Sequence, residues 1–200
     1  MKRPGCNPRA VRQLAVHPWH DYPVDAASVD RSFPTVIEVP MGSKNKYELD
    51  KATGLLRLDR VLFSAVYYPA NYGFVPRTLC DDGDPLDVLV FGQAPVVPLT
   101  IMDVRAIGVM KMRDDKGLDD KVLAVCVGDP AFADYTDFRQ LPHHVVREMQ
   151  RFFVDYKVLE GKSVAVDELL GPDEALQVLR DALVCYRASR EKFKPDTQRA

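Results

Sequence analysis

The chain has 200 residues and a formal net charge of −2, so its charge gives no reason to expect binding to nucleic acid or to an anionic membrane. Hydrophobic residues make up 46% of the sequence, which is enough for a folded core, and no uninterrupted apolar run approaches bilayer length. We expect a single domain over residues 1–200, with an N-terminal arm at 1–33 and a disordered tail at 194–200.

The first residues and the cysteines are typical of a cytoplasmic protein. The chain starts with a basic segment that lacks the apolar stretch of a secretory signal. The four cysteines form no Cys-x-x-Cys pair, and the four histidines have no spacing that argues for zinc. We therefore expect isolated reduced thiols rather than a disulfide framework or a zinc site.

Strand patterns follow the arm and occupy the middle of the chain. Alternating and β-branched runs predict strands at 35–41, 46–50, 55–63, 87–92, 103–112 and 121–127. The alternation within the third of these runs shifts phase near Arg60. Residues that favour turns separate the runs, and two of the turns, 81–87 and 114–120, are strongly acidic.

Helical patterns dominate the last third of the chain. Apolar residues at helical spacing predict a first helix that begins at Pro142 and ends at a glycine cap, Gly161. A short strand is predicted at 163–169, and a second helix begins at Pro172, with acidic residues in its first turn. This order predicts an α+β fold in which a small closed β-barrel packs against two main helices.

The two acidic turns are the strongest chemical signal in the sequence. The first contains Asp82, Asp84 and Asp87, and the second contains Asp114 and Asp119. Either turn alone could be a solvated loop, and the first fails the spacing of an EF-hand calcium loop. Two such turns that meet on one small barrel would supply six or more oxygens, a set that suits Mg²⁺.

Cationic and phenolic residues accompany the acidic turns. Lys46 and Glu48 are two residues apart in a predicted strand and therefore share one face. The remaining members of this group are Arg60, Tyr68, Tyr72, Tyr156 and Lys157. Each alone is more simply a surface or core residue, but lysine and arginine beside a carboxylate-bound metal form the combination that phosphate recognition requires.

Five segments resemble the family I soluble inorganic pyrophosphatases, in the same order along the chain. They are "IEVP…KYELD", "LDRVLFSAVYYPANYGFVP", "DGDPLDV", "AIGVMKMRDDKGLDDKVLAV" and "RFFVDYK". The resemblance covers about residues 34–161, and the N-terminal "HPWHD" resembles the plant branch and related bacterial members. It implies a five-stranded OB-type β-barrel with two main helices packed against it, and Mg²⁺-dependent hydrolysis of inorganic pyrophosphate to two orthophosphates. It also implies several Mg²⁺ ions per subunit and a homo-oligomer, with a hexamer favoured.

The resemblance also implies roles for individual residues. Asp84 matches the carboxylate that accepts a proton from the attacking water, and the catalytic set is Asp84, Tyr72, Arg60 and Lys46. Metal ligands are expected at Asp82, Asp87, Asp119, Asp114, Glu48 and Glu38. Phosphate contacts are expected from Lys46, Arg60, Tyr72, Lys121, Tyr156 and Lys157, with Tyr68 beside them. Lys44 could replace Lys46 as the phosphate lysine, and Asp115 stands where some members have a longer glutamate.

The physical argument agrees with the resemblance, although other functions remain open. A water that attacks anionic pyrophosphate must overcome charge repulsion, and shared cations both neutralise that charge and lower the pKa of the water. A nearby carboxylate can then take the proton. The alternatives are a phosphohydrolase for another phosphoanhydride such as a nucleotide, an OB-type nucleic-acid binder, and a calcium-binding structural module.

Overall fold

The computed structural model describes residues 16–115 and 117–190. Within these ranges the strands are β1 Phe33–Val39, β2 Asn45–Leu49, β3 Leu56–Val61, β4 Asn71–Phe74, β5 Asp87–Phe91, β6 Ile101–Asp114, β7 Gly117–Leu118, β8 Lys121–Cys126 and β9 Ala165–Leu170. The two α-helices are α1 His143–Asp155 and α2 Pro172–Ser189, and short 3-10 helices cover Phe138–Gln140 and Val158–Glu160. The predicted tail and the first part of the predicted arm lie outside the described residues.

Five strands form a closed ring. They are hydrogen-bonded in the order β1-β4-β5-β8-β6, and β6 pairs back with β1. The β5–β8 pair is parallel and the other pairs of the ring are antiparallel. Strands β7 and β9 add to β6, whereas β2 and β3 form a separate hairpin. The predicted α+β fold with five core strands and two helices is confirmed, and its assignment to the OB type stays a prediction.

Both faces of the strands are buried, which explains why β8 is a nearly continuous apolar run. Leu123 and Val125 of β8 join a core cluster that contains Phe152 and Phe153 of α1. Val122 and Ala124 point to the other face and join the cluster of α2. Burying one large apolar side chain contributes about 1.5–3 kcal/mol, so the two helices hold the sheet from opposite sides.

Most predicted elements are confirmed, but the first helix is shorter than predicted and two strands, β4 and β7, were missed. The first helix ends at Asp155 rather than at Gly161, which instead caps the 3-10 helix at Val158–Glu160 with a φ of 72°. Strand β4 was not predicted, because Asn71 and Gly73 are residues that favour turns. The phase shift near Arg60 is a bulge that leaves Asp59 without an opposite residue in β2.

Two α-helices and three cysteines lie within the described residues. Neither α1 nor α2, the helices within the described ranges, is long and apolar enough to cross a bilayer. Cys80, Cys126 and Cys185, the cysteines in this part of the chain, are free thiols.

Candidate active site

A cleft of about 280 Å³ lies between the β2–β3 hairpin, the acidic loop 80–86 and the segment that follows α1. All but one of the candidate site residues line it. Those residues are Glu38, Lys46, Glu48, Tyr68, Tyr72, Asp82, Asp84, Asp87, Asp114, Asp119, Lys121, Tyr156 and Lys157. The two acidic turns therefore meet, as expected from the sequence. Lys46 lines the cleft and Lys44 is not among the lining residues, so the alternative phosphate lysine is not supported.

The sheet itself brings acidic and basic groups together. Strands β5 and β8 are parallel and begin at the same edge, and their first residues, Asp87 and Lys121, are register partners. Strand β4 lies on the other side of β5 and brings Tyr72 beside Asp87. The acidic residues just before β8 then lie next to those of the loop before β5. Acidic and basic residues from separate parts of the sequence therefore form one cluster at this edge of the ring.

Lys121 is the buried cation at the centre of this cluster. Its side chain is 3% exposed, and its ammonium group donates to the carboxylates of both Asp87 and Asp119. Burial alone would lower the pKa of Lys121, but the charges of Asp87 and Asp119 outweigh burial and raise it. Tyr72 donates its hydroxyl to the same Asp87 carboxylate. Lys121 therefore stays charged and holds two carboxylates at fixed positions.

Two carboxyl groups of the cleft hold protons more tightly than usual. Burial, followed by the charge of Asp87, raises the pKa of Glu38 to about 8. The Oε1 atom of Glu38 accepts a hydrogen bond from the backbone N–H of Leu49 at 2.6 Å. Burial, followed by the charges of neighbouring carboxylates that include Asp84 and Asp87, also raises the pKa of Asp82. Acidic residues also outnumber lysines among the residues that line the cleft.

Two more lysines of the cleft are paired with acidic residues. The ammonium of Lys157 donates to Asp114 at 2.7 Å, and this contact ties the segment after α1 to the second acidic turn. Lys46 pairs with Glu48 on the shared face of β2, as predicted from their spacing, and lies 3.6 Å from Asp59. The cations therefore alternate with the acids along the walls of the cleft.

Arg60 is the candidate residue that does not line the cleft. Its Nε donates to Glu160 at 2.7 Å, and its Nη1 donates to Asp59. Burial would lower the pKa of Arg60, but its contact with Glu160 outweighs burial and raises it. Arg60 is the register partner of Lys46 across the β2–β3 hairpin. Its guanidinium is thus held beside the site by two carboxylates.

An inorganic pyrophosphatase family model matches residues 35–187 of the chain. A potato relative described as soluble inorganic pyrophosphatase PPA1 is 52% identical over 177 residues, which cover 88% of this chain and 82% of the relative. The chain belongs to the inorganic pyrophosphatase family. A second relative, soluble inorganic pyrophosphatase 2 of Chlamydomonas reinhardtii, is 54% identical and covers 88% of this chain and 91% of its own length.

Solved structures support the same assignment. The pyrophosphatase resembles the inorganic pyrophosphatase of Thermus thermophilus with a TM-score of 0.79 and 41% identity, over 83% of this chain and 97% of that one. The enzyme from Helicobacter pylori also has a TM-score of 0.79, with 39% identity over 83% and 98% of the two chains. The protein is therefore an inorganic diphosphatase, an enzyme that hydrolyses inorganic pyrophosphate.

The donor set of the pyrophosphatase fits a hard cation in its chemistry. Its candidate ligands are carboxylates, and oxygen is the donor that Mg²⁺ prefers. Burial, and after it the charges of neighbouring carboxylates, raise the pKa values of Glu38 and Asp82, and a bound cation would offset both effects. Within 16–115 and 117–190, no three or more His, Cys, Asp or Glu side chains converge as a ready metal site. The structure gives one reason, since Lys121 lies between Asp87 and Asp119.

Lys51 and Trp19 are among the lining residues that were not predicted from the sequence. Lys51 lies in the turn of the β2–β3 hairpin, and its ammonium pairs with Asp84. Trp19 belongs to the N-terminal arm and is 1% exposed. No spacing pattern could have assigned either residue, because the contacts depend on how the hairpin and the arm fold over the acidic loop.

Proposed function

We propose that the pyrophosphatase hydrolyses inorganic pyrophosphate to two orthophosphates in a Mg²⁺-dependent reaction, with Asp84 as general base. The observation that carries this proposal is the single cleft in which carboxylates of two acidic turns alternate with Lys46, Lys121 and Lys157. Pyrophosphate is a compact polyanion without an organic part, and a small polar cleft of this kind matches it.

The carboxylates of the cleft would hold the metal ions. The proposed ligands are Asp82, Asp87, Asp119, Asp114, Glu48 and Glu38. When bound, Mg²⁺ supplies neutralisation of the phosphate charge and lowers the pKa of a water from its bulk value of about 15.7. Burial and the charge of Asp87 raise the pKa of Glu38 to about 8, so binding of a cation by Glu38 would be coupled to loss of a proton near neutral pH.

The basic and phenolic side chains would bind and orient the two phosphoryl groups. Lys46, Lys157 and Lys121 carry ammonium groups on three walls of the cleft, where each can donate charge-assisted hydrogen bonds to phosphate oxygens. Arg60, Tyr72, Tyr156 and Tyr68 complete the proposed substrate set. Burial raises the pKa of both Tyr72 and Tyr156, so both phenols keep their protons. The Tyr72 hydroxyl, which donates to Asp87, would have to leave that carboxylate to donate to a phosphate oxygen.

Asp84 would accept the proton of the attacking water. Its carboxylate lines the cleft, and its backbone N–H donates to Oδ1 of Asp82 at 3.0 Å, which fixes the backbone beside the proposed metal ligands. The pairing of Asp84 with Lys51, rather than with a lysine between two carboxylates, separates it from the Asp87–Lys121–Asp119 cluster. Asp84 thus lies apart from the carboxylates that Lys121 holds together.

The test compares three substitutions in one acidic loop. Asp84→Asn should lower kcat by about 10²–10⁴-fold, the usual worth of general-base assistance, with little change in Mg²⁺ affinity. Asp82→Asn should weaken Mg²⁺ binding, and Asp81→Asn should behave as wild type, because Asp81 is exposed and does not line the cleft. Phosphate release from pyrophosphate and from ATP, with Mg²⁺ titrated by calorimetry, gives both quantities. Recovery of Asp84→Asn at high Mg²⁺ would make Asp84 a metal ligand instead.

We also propose a cytoplasmic homo-oligomer, with a hexamer favoured on family grounds, and a single domain over residues 1–200. Pyrophosphate is the small-molecule partner, and neither nucleic acid nor a membrane is expected to bind. Sedimentation equilibrium of the full chain gives the subunit number, and a monomer at all concentrations would contradict this proposal.

A further inference from the structure

We propose that Lys51 is a positioning residue that holds the Asp84 carboxylate in the cleft, and that the arm segment 17–21 fixes the turn that carries Lys51. This inference rests on the proposed role of Asp84 as the proton acceptor. The ammonium of Lys51 pairs with Oδ1 of Asp84 and lies 3.5 Å from the backbone oxygen of Gly83. Lys51 thus contacts both the side chain and the backbone of the acidic loop.

Asp84 needs a partner because its surroundings repel it. Asp82 and Asp87 lie in the same short segment, and like charges at this spacing push each other toward solvent. The bond from its backbone N–H to Asp82 fixes the main chain of Asp84 but leaves the carboxylate able to rotate. A cation on the cleft side of Asp84 therefore selects the orientation in which the carboxylate faces the site.

The contribution of this ion pair lies in orientation rather than in stability. The side chains of Lys51 and Asp84 are 53% and 35% exposed, and ion pairs of this exposure stabilise a fold by only about 0.2–1 kcal/mol. A displacement of about 1 Å at a reacting group, in contrast, can lower a rate by about 100-fold. We therefore expect substitution of Lys51 to affect turnover much more than melting.

The turn that carries Lys51 is closed by hydrogen bonds and packs on the arm. Asp50 accepts hydrogen bonds from Thr53 and from the backbone N–H of Gly54, which close the turn. Gly54 has a φ of 71°, and a Cβ atom there would lie only 3.0 Å from Pro18 and 3.3 Å from the ring of His17. The turn and the arm are thus in direct contact, with no space between them.

One hydrogen bond joins the arm to Lys51 itself. Nδ1 of His17 accepts from the backbone N–H of Trp19 at 3.3 Å, so the proton of the neutral ring is on Nε2. Nε2 lies 3.1 Å from the backbone oxygen of Lys51 and donates to it. His17 therefore fixes the position of the main chain from which the Lys51 side chain reaches Asp84.

The other end of the arm segment is anchored beside the acidic loop. Trp19 is buried, and its indole N–H donates to the backbone oxygen of Thr78 at 2.8 Å. The backbone N–H of Arg77, which has a positive φ of 53°, donates to the oxygen of Trp19 at 2.8 Å. The Thr78 hydroxyl in turn accepts from the N–H of Leu86 at the far end of the loop. The arm therefore joins the loop of Asp84 to the turn of Lys51.

The first experiment measures steady-state kinetics of Lys51 variants of the full chain. Lys51→Met should lower kcat by about 10-fold, while the KM values for pyrophosphate and Mg²⁺ change by less than about 3-fold. Lys51→Arg keeps the cation and should recover kcat to within about 3-fold of wild type. Lys162→Met is the control, because Lys162 is similarly exposed and lies 3.9 Å from Asp115 outside the cleft lining.

Two results of this experiment would overturn the inference. If Lys51→Met matches Lys162→Met, the pair with Asp84 has no role in turnover. If Lys51→Met raises the KM for pyrophosphate and leaves kcat unchanged, Lys51 is a substrate contact rather than a positioning residue.

The second experiment uses double-mutant cycles to show that the residues act in series. His17→Ala should lower kcat by about 3-fold alone but by less than about 1.5-fold in the Lys51→Met background. Lys51→Met should likewise add less than about 2-fold in the Asp84→Asn background. Fully multiplicative effects in either cycle would overturn the inference. If Asp84→Asn loses activity but Lys51→Met has no effect, only this inference fails. If Asp84→Asn keeps wild-type kcat, the proposed function, with Asp84 as general base, fails as well.

Discussion

Asp82 and Asp87 are neighbouring carboxylates with opposite electrostatic environments. Asp87 accepts from Lys121 and from the Tyr72 hydroxyl, whereas burial and nearby carboxylates raise the pKa of Asp82. Asp87→Asn should therefore lower the stability of the metal-free enzyme by about 3 kcal/mol, because it leaves a buried lysine with one partner fewer. Asp82→Asn should leave the stability unchanged or raise it, since it removes repulsion but keeps the oxygen that accepts from Asp84.

Urea denaturation in EDTA at neutral pH checks this contrast, and Asp81→Asn in the same loop is the control for loss of one exposed charge. Equal destabilisation by the substitutions at positions 82 and 87 would mean that Lys121 does not distinguish the two carboxylates.

Arg60 offers a second prediction at the scale of one residue, because its structural partner can be removed separately. Arg60→Lys should lower kcat/KM by about 10- to 100-fold, the cost of losing a charge-assisted hydrogen bond of about 1.5–3 kcal/mol. Glu160→Gln removes the charge that holds Nε of Arg60 but leaves the guanidinium in place, so its effect should be much smaller. Steady-state kinetics of both variants decide the role. Equal losses would show that Arg60 acts only through its pair with Glu160.

At the scale of elements, the paired strands β1 and β4 approach each other very closely at Gly73. A Cβ atom on Gly73 would lie 1.9 Å from the backbone oxygen of Val36 and 2.7 Å from the Cα of Ile37. Because these atoms belong to the main chain of β1, Gly73→Ala should cost about 3 kcal/mol or more and lower the melting temperature. Gly128→Ala is the matched control, since a Cβ there would meet its nearest neighbour, Cys126, at 3.9 Å. Similar melting temperatures for the two variants would contradict the close approach.

Strand β4 also illustrates which elements could be predicted from the sequence and which could not. Strands β5, β6 and β8 have runs of β-branched and apolar residues, and the pattern located them to within two residues at each end. Strand β4 has only the four residues 71–74, and its pairing with both β1 and β5, rather than its composition, makes it a strand. The first helix stopped early because Lys157 turns into the cleft toward Asp114, a contact that spacing alone cannot indicate.

The candidate site, like the fold, could be predicted only in part from the sequence. The predicted site residues other than Arg60 share one cleft, and Lys51 was missed. The guanidinium of Arg60 bonds Glu160 beside the cleft, and its role as a phosphate contact stays a prediction. Both cases depend on the hairpin β2–β3, whose orientation is set by packing against the arm and the 3-10 helix at Val158–Glu160. Sequence spacing fixes which face a strand residue occupies, and it does not fix what a hairpin lies against.

The arm also leads to a prediction about how stability depends on pH, because the ring of His20 is packed within an aromatic stack. Burial, followed by the charge of His17, lowers the pKa of His20 to about 4, and its Nδ1 lies 2.9 Å from the Tyr186 hydroxyl. The unfolded chain takes up this proton near pH 6.5, so the contribution of neutral His20 is complete above that pH and is lost as pH falls toward 4. Allowing for partial exposure, wild type should lose about 1 kcal/mol more than His20→Gln between pH 7 and pH 5.

Urea denaturation of both proteins at pH 7 and pH 5 measures this difference. Other titrating groups affect both proteins alike and cancel in the comparison. Parallel pH dependence in wild type and His20→Gln would show that the stack tolerates a charged ring.

At the scale of the whole molecule, the ring concentrates the acidic residues at one edge. Asp87 begins β5 and Lys121 begins β8, and the acidic loop and the second acidic turn directly precede these starts. The two faces of the same strands are buried under α1 and α2. The helices therefore stabilise the sheet while the edge that carries the carboxylates stays open. The apolar packing that stabilises the sheet and the crowded carboxylates therefore lie at different parts of the same sheet.

This separation predicts how metal ions change the stability of the whole protein. Mg²⁺ should bind the folded edge far better than the unfolded chain, so a concentration of about 100 times its dissociation constant should add about 2.7 kcal/mol. For a chain of this length each kcal/mol raises the melting temperature by about 2–4 °C, which gives a rise of about 5–10 °C over the EDTA-treated enzyme. KCl at equal ionic strength separates specific binding from screening. Asp82→Asn should reduce this rise in melting temperature. Asp84→Asn should preserve it, because the proposed role of Asp84 is to accept a proton and not to bind metal. A rise that KCl reproduces, or one that Asp82→Asn leaves unchanged, would place the ions elsewhere on the molecule.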